Sequence, residues 1–114
     1  MGKCVIRESE ANGMVFRGRY AGAEGSSGEP VILLHGFPET SIMWEGLMER
    51  LAGEGYRCFA PDQRGYSPGA RPSGVEDYEY RKLVSDVMSL ADALGCARFH
   101  LIGHDWGSAV GWAI

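Results

Sequence analysis

Gly103-His104-Asp105-Trp106-Gly107 follows the apolar run Phe99-His100-Leu101-Ile102 and precedes the apolar segment Ser108-Ala109-Val110-Gly111-Trp112-Ala113-Ile114. The pattern reads as strand, sharp turn and helix, with an aspartate at the tip. It matches the strained G-x-S-x-G turn that lifts a nucleophile clear of a sheet, with Asp where Ser would stand. Gly103 and Gly107 permit the tight turn and close packing of helix on strand. A carboxylate is ionised at neutral pH, its reference pKa being about 3.9, so it needs no base to become a nucleophile. At such a tip it suits attack on a saturated carbon, as in an epoxide or a carbon–halogen bond.

The elements that must position this turn are legible from periodicity. Residues 4–9 and 14–21 are short alternating segments around Asn12-Gly13, the signature of a β-hairpin. Glu24 to Pro30 is a Gly/Ser loop. Val31-Ile32-Leu33-Leu34 is a continuous apolar run, as expected of a parallel strand buried on both faces. A helix begins at Thr40 or Ser41, its N-cap, carries Trp44, Leu47, Met48 and Leu51 on one face, and ends at Gly53 or Gly55. Tyr56 to Ala60 is a second buried strand, stopped by Pro61. After a loop to Gly74, a second helix is predicted from about Asp77 to Leu94, with Gly95 beyond its end. Phe99 to Ile102 is the third parallel strand. A hairpin followed by βαβαβ implies an α/β fold with a mostly parallel sheet.

Composition narrows the class. The chain has 114 residues, 45% of them hydrophobic, with a net charge of −4. That balance is globular and argues against nucleic acid or an anionic membrane as partner. No apolar run reaches the roughly 20 residues of a membrane helix, and Met1 to Ile6 has no signal-peptide core. Cys4, Cys58 and Cys96 are widely spaced and are read as reduced, mostly buried thiols of a cytoplasmic protein. No metal site or cofactor motif is found: the four-residue spacing of His100 and His104 falls on strand and turn rather than helix. The segment Ala109 to Ile114 reads as the middle of a buried helix with no stop signal. Residues 1–114 are therefore expected to form a single incomplete domain, the N-terminal part of a larger protein.

Three motifs occur in order at the ends of successive strands: His35-Gly36-Phe37-Pro38-Glu39, Asp62-Gln63-Arg64-Gly65-Tyr66-Ser67, and the Asp105 turn. Together they resemble the α/β-hydrolase superfamily, in its epoxide hydrolase and haloalkane dehalogenase branch. The resemblance covers nearly the whole chain and implies the N-terminal half of that fold, ending within the helix after the turn. It implies Asp105 as nucleophile, forming an alkyl-enzyme ester that water then cleaves. The backbone N–H groups of Phe37 and Trp106 match the family's oxyanion-hole positions. Trp106, Phe37 and Pro38 would line the substrate site, and His35, Gly36, Gly103, His104 and Gly107 would shape it. In the family Gly36 is a point of close approach and Phe37-Pro38 a cis peptide. The base His and the acid lie downstream in the family's order and are absent from this chain, as is the lid.

Other residues have plainer readings. Gly65-Tyr66-Ser67-Pro68-Gly69 spells G-x-S-x-G, but Pro68 has no N–H to offer an oxyanion and no helix follows, so Ser67 is not expected to be a nucleophile. Asp62 and Arg64 are read as solvated or salt-bridged loop charges, His35 as a loop-fixing hydrogen bonder, His104 as a brace for the turn, and His100 and Trp112 as core residues. Trp106 occurs in both epoxide hydrolases and dehalogenases. Some dehalogenases carry Asn where this chain has Phe37, and fluoroacetate dehalogenases carry Arg where it has Trp106. The wording of the Asp62 motif also looks more like epoxide hydrolases. The expected substrate is a small apolar epoxide or halide. A dehalogenase, another α/β-hydrolase, or an inactive fragment or non-catalytic partner remain the alternatives.

Overall fold

The computed structural model describes residues 3–22 and 28–114. Its elements are β1 (Val5–Ala11), β2 (Met14–Ala21), β3 (Pro30–Leu34), a 3₁₀ turn (Ser41–Trp44) running into α1 (Glu45–Gly53), β4 (Arg57–Pro61), a second 3₁₀ turn (Val75–Tyr78), α2 (Tyr80–Ala93), β5 (His100–Gly103) and α3 (Trp106–Ala113). The sheet order is β1-β2-β4-β3-β5. β1, β2 and β4 pair antiparallel in succession, while β3 runs parallel to both β4 and β5. This is the expected hairpin plus βαβαβ, with the parallel strands delivering their C-terminal ends to one rim.

The hairpin forms where Asn12 (φ 53°) and Gly13 (φ 75°) accept left-handed backbone, a conformation open mainly to Asn, Asp and Gly. Val31 to Leu34 are fully buried, and the core divides across them. Ile32 and Leu34 pack with Phe16, Phe59, Val87, Leu90 and Val110 under α2 and α3. Val31 and Leu33 pack with Trp44, Met48, Cys58 and Ala60 under α1. The split follows from the period of two along a strand.

Several boundaries and placements differ from the sequence reading. The first helix opens as a 3₁₀ turn capped by the Thr40 side chain, which accepts from the Ile42 N–H. The helix expected from Asp77 begins as a separate 3₁₀ turn, because Glu79 is extended (φ −62°, ψ 145°), and α2 starts only at Tyr80. Within these 114 residues Trp112 is not packed in the core: it is 90% exposed. Gly107 and Val110 are the residues α3 buries, and a residue two positions from Val110 lies roughly 200° around the helix. His100 is not core either. β5 pairs with β3 alone among the described strands, and the His100 side chain reaches outward to Glu29, 3.2 Å away. Asp62 and Arg64 are salt-bridged but buried rather than solvated. The three cysteines are free thiols: Cys58 and Cys96 are buried and Cys4 partly so, and burial pushes the Cys58 thiol up to about 11. Most of the Gly/Ser loop before β3 lies outside the described residues. No helix among the described residues is long and apolar enough to cross a membrane.

Candidate active site

β5 ends at Gly103 and α3 begins at Trp106, so the whole change of direction falls on His104 and Asp105. Asp105 takes φ 57°, ψ −122°, a conformation that costs a non-glycine residue about 1–3 kcal/mol. The turn is held from both sides. The His104 N–H donates to the Leu34 carbonyl at 3.2 Å, and the Ser108 and Ala109 N–H groups donate to the Asp105 carbonyl. A side chain at Gly103 would stand 2.8 Å from Ser108 Cα, and one at Gly107 would overlap the Leu34 carbonyl. Both glycines therefore let α3 lie directly on the ends of β5 and β3.

This packing sets Asp105 against the loop that leaves β3. The Phe37 N–H donates to Asp105 Oδ2 at 3.1 Å. Hydrogen bonds from the Phe37 and Trp106 amides, in that order, hold the exposed carboxyl below its ordinary pKa, with a smaller contribution from His104. Gly36 makes the approach feasible: a Cβ there would collide with Asp105 Cβ and stand 2.8 Å from the His104 carbonyl. The Phe37-Pro38 peptide is cis. Phe37, Pro38 and Trp106 are exposed at this rim. His104 is also exposed, with Nδ1 3.6 Å from Glu39.

Beneath the loop, His35 is buried and fully engaged. Its Nδ1–H donates to the Gly36 carbonyl at 2.9 Å, and its Nε2 accepts the Gln63 N–H at 3.0 Å. Gln63 Nε2 in turn donates to the His35 carbonyl at 2.7 Å. Burial lowers the His35 pKa, so the ring is neutral, with the Nδ1–H tautomer fixed by its two partners. Tyr66 packs edge-on against His35, centroids 4.6 Å apart; burial and the Asp105 charge both raise its phenol pKa. Sequence reasoning gave neither Gln63 nor Tyr66 a role, although both lie within the Asp62–Ser67 motif.

The rest of that motif is scaffolding. Asp62 is completely buried, accepting from the Ser41 N–H (2.8 Å) and Arg17 Nε (2.9 Å). Burial alone would raise its pKa, but the bonds from Ser41 and Arg17 outweigh it and the net shift is downward. Arg64 forms a two-pronged pair with Asp86 on α2, both bonds 2.8 Å, and donates to the Asp77 carbonyl. Asn12 at the hairpin turn donates to the same Asp86. The Ser67 hydroxyl is buried, accepting from the Arg17 N–H and donating to the Asp62 carbonyl, which makes it a clasp between β2 and the loop. The second G-x-S-x-G is thus a structural loop.

An exposed carboxylate on a strained strand–helix turn, hydrogen-bonded by two backbone amides, is equipped for nucleophilic and oxyanion chemistry. Residues 29–114 match the model of the alpha/beta hydrolase fold. The chain belongs to the alpha/beta hydrolase family. Relatives within that family include epoxide hydrolase A of Mycobacterium tuberculosis, 41% identical over 112 residues, spanning 98% of this chain and 34% of that protein. The AB hydrolase superfamily protein YfhM of Bacillus subtilis is 40% identical over 101 residues, or 89% of this chain and 35% of that protein. Among solved hydrolases, epoxide hydrolase A of Mycobacterium thermoresistibile superposes with a TM-score of 0.90 at 39% identity, covering 97% of this chain and 34% of that one. Epoxide hydrolase VrEH1 of Vigna radiata gives 0.89 at 37% identity, with 97% and 35% coverage. The chain spans about a third of the length of the relatives it matches.

Proposed function

We propose that the full-length protein is an epoxide hydrolase in which Asp105 is the nucleophile. The observation that carries this reading is an exposed carboxylate on the turn whose Oδ2 accepts the Phe37 N–H, while the carboxylate as a whole is also held by the Trp106 amide. An oxygen of this carboxylate attacks; Oδ1 is the one with no bond to the Phe37 amide. Attack of Oδ1 on an epoxide carbon breaks the C–O bond and leaves an ester on Asp105 and an alkoxide that takes up a proton. Water then adds to the ester carbonyl carbon. The oxygen that gains charge in that step is Oδ2, already bonded to the Phe37 N–H, and the Trp106 N–H also hydrogen-bonds this carboxylate. These donors act as an oxyanion hole, each worth about 2.7–4 kcal/mol of barrier. Collapse of this intermediate releases the diol and restores the carboxylate.

The base that activates water is proposed to be a histidine downstream of these residues, as the order of the family's catalytic residues implies, with His104 bracing the turn. His35 has both ring nitrogens occupied. His100 opens β5, and the length of that strand puts it more than about 10 Å from the turn. The substrate is proposed as a small apolar epoxide, and residues 1–114 alone are expected to be inactive. Trp106 beside Asp105 also suits a departing halide, which keeps haloalkane dehalogenation as the second reading.

The test is turnover of styrene oxide and of 1-bromohexane by the full-length protein and its Asp105→Asn variant. Diol formation that vanishes in the variant supports the proposal. Halide release without epoxide opening moves the assignment to dehalogenase, and undiminished hydrolysis by Asp105→Asn removes Asp105 from the chemistry. (Recovery through slow deamidation of the new Asn is checked by intact mass.)

A further inference from the structure

The two residues whose amides hold Asp105 both turn large rings to solvent: Phe37 is 64% exposed and Trp106 56%. A third ring joins them from a different element. Tyr80, the first residue of α2, is 44% exposed, and its ring centroid lies 6.0 Å from that of Trp106 with the planes tilted by 36°. That separation is within the range of interacting rings. Tyr80 makes no bond to the carboxylate or to the loop that holds it, so the oxyanion machinery does not account for it. Exposed aromatic groups gathered at one rim mark a place where something apolar lands. Here Phe37 and Trp106 adjoin Asp105, and Tyr80 lies against Trp106.

We propose that Tyr80 is a specificity-determining residue, forming with Trp106 an aromatic wall beside Asp105 that favours epoxides bearing an aryl substituent. This rests on the epoxide hydrolase reading above. Attack requires Oδ1 within about 3–3.5 Å of the epoxide carbon. A phenyl group on that carbon is then carried against the residue next to Asp105, which is Trp106, and Tyr80 extends the same apolar surface. A linear alkyl group of similar volume gains burial there but no ring–ring contact. The phenol oxygen has no part in the argument, so a phenyl ring at position 80 serves equally.

The experiment compares Tyr80→Ala and Tyr80→Phe with the parent in the full-length protein, using styrene oxide and 1,2-epoxyhexane. Tyr80→Ala is expected to lower kcat/KM for styrene oxide about tenfold, while 1,2-epoxyhexane changes by no more than about twofold. Tyr80→Phe is expected to match the parent on both. Equal losses on both epoxides in Tyr80→Ala would mean that the ring packs against polypeptide rather than substrate, and no loss on either would mean it touches neither; each overturns the proposal. A readout independent of turnover is calorimetric binding of 1-phenyl-1,2-ethanediol against 1,2-hexanediol. If the parent opens neither epoxide, the epoxide reading fails. The aryl wall then stands or falls on whether the parent prefers the aryl diol and Tyr80→Ala abolishes that preference.

Discussion

Replacing Gly36 by alanine tests whether the space between two loops sets the reactivity of Asp105. Gly36 does not have positive φ, so its backbone accepts an L-residue and only the added methyl matters. That methyl would stand 2.8 Å from the His104 carbonyl and collide with Asp105 Cβ. Ordinary van der Waals contact lies near 3.5–4.0 Å, so one partner must move by about 1 Å. The His104 carbonyl belongs to the turn, and Asp105 is already strained. The displacement therefore falls on the Phe37 N–H to Asp105 Oδ2 bond, now 3.1 Å. Losing that donor costs about 10²–10³ in kcat. Thermal stability should also fall, since the clash is with a backbone carbonyl and a Cβ that cannot rotate away, and the roughly 0.4–1 kcal/mol that Gly→Ala gains through the unfolded chain offsets only part of the strain. Gly46 on α1 is the control: it is exposed, nothing lies within 4 Å of a Cβ there, and Gly46→Ala should retain full kcat. The assay is single-turnover epoxide hydrolysis by the full-length protein, with Tm in parallel. A Gly36→Ala protein that folds and keeps more than half of the parent kcat would refute the reasoning.

Three further predictions concern the scaffold. Asp86→Ala leaves Arg64 buried without its counter-charge and removes one of the two acceptors of the Asn12 amide, and should destabilise the protein by about 3–5 kcal/mol in urea titrations; a loss typical of a surface site would mean the pair is solvated. For pH, the folded pKa of His35 is lowered, so the stabilisation of its neutral form is complete above the unfolded value near 6.5 and is lost as pH falls through the folded value. The urea midpoint should thus fall between about pH 7.5 and 5.5, and His35→Gln should remove that slope. An unchanged slope would show that the buried ring does not titrate with unfolding. Asp62, also held below its usual value, contributes stability above about pH 4 and gives it up as pH falls through its folded pKa.

The sequence by itself determined the order of elements and the identity of the turn. Val31 to Leu34 are apolar without interruption because a parallel strand is covered on both faces, and Asn12-Gly13 names its hairpin because few other residues accept positive φ. Gly103 and Gly107 announce a close helix–strand contact for the same kind of local reason. What the sequence did not contain is any relation between separate loops. His35 with Gln63, Arg64 with Asp86, Asn12 with Asp86, and Tyr80 with Trp106 join residues 28, 22, 74 and 26 positions apart along the chain. Such pairs are set by the sheet order, which places β3 between β4 and β5. The exposure of Trp112 and His100 within these residues was not legible because hydrophobicity and strand position report a residue's type, not which side of its element faces the rest of these residues. Only the packed structure decides that. It is also the packing of α3 on β3 that brings the Phe37 amide within 3.1 Å of Asp105 and turns a tight corner into a candidate catalytic site.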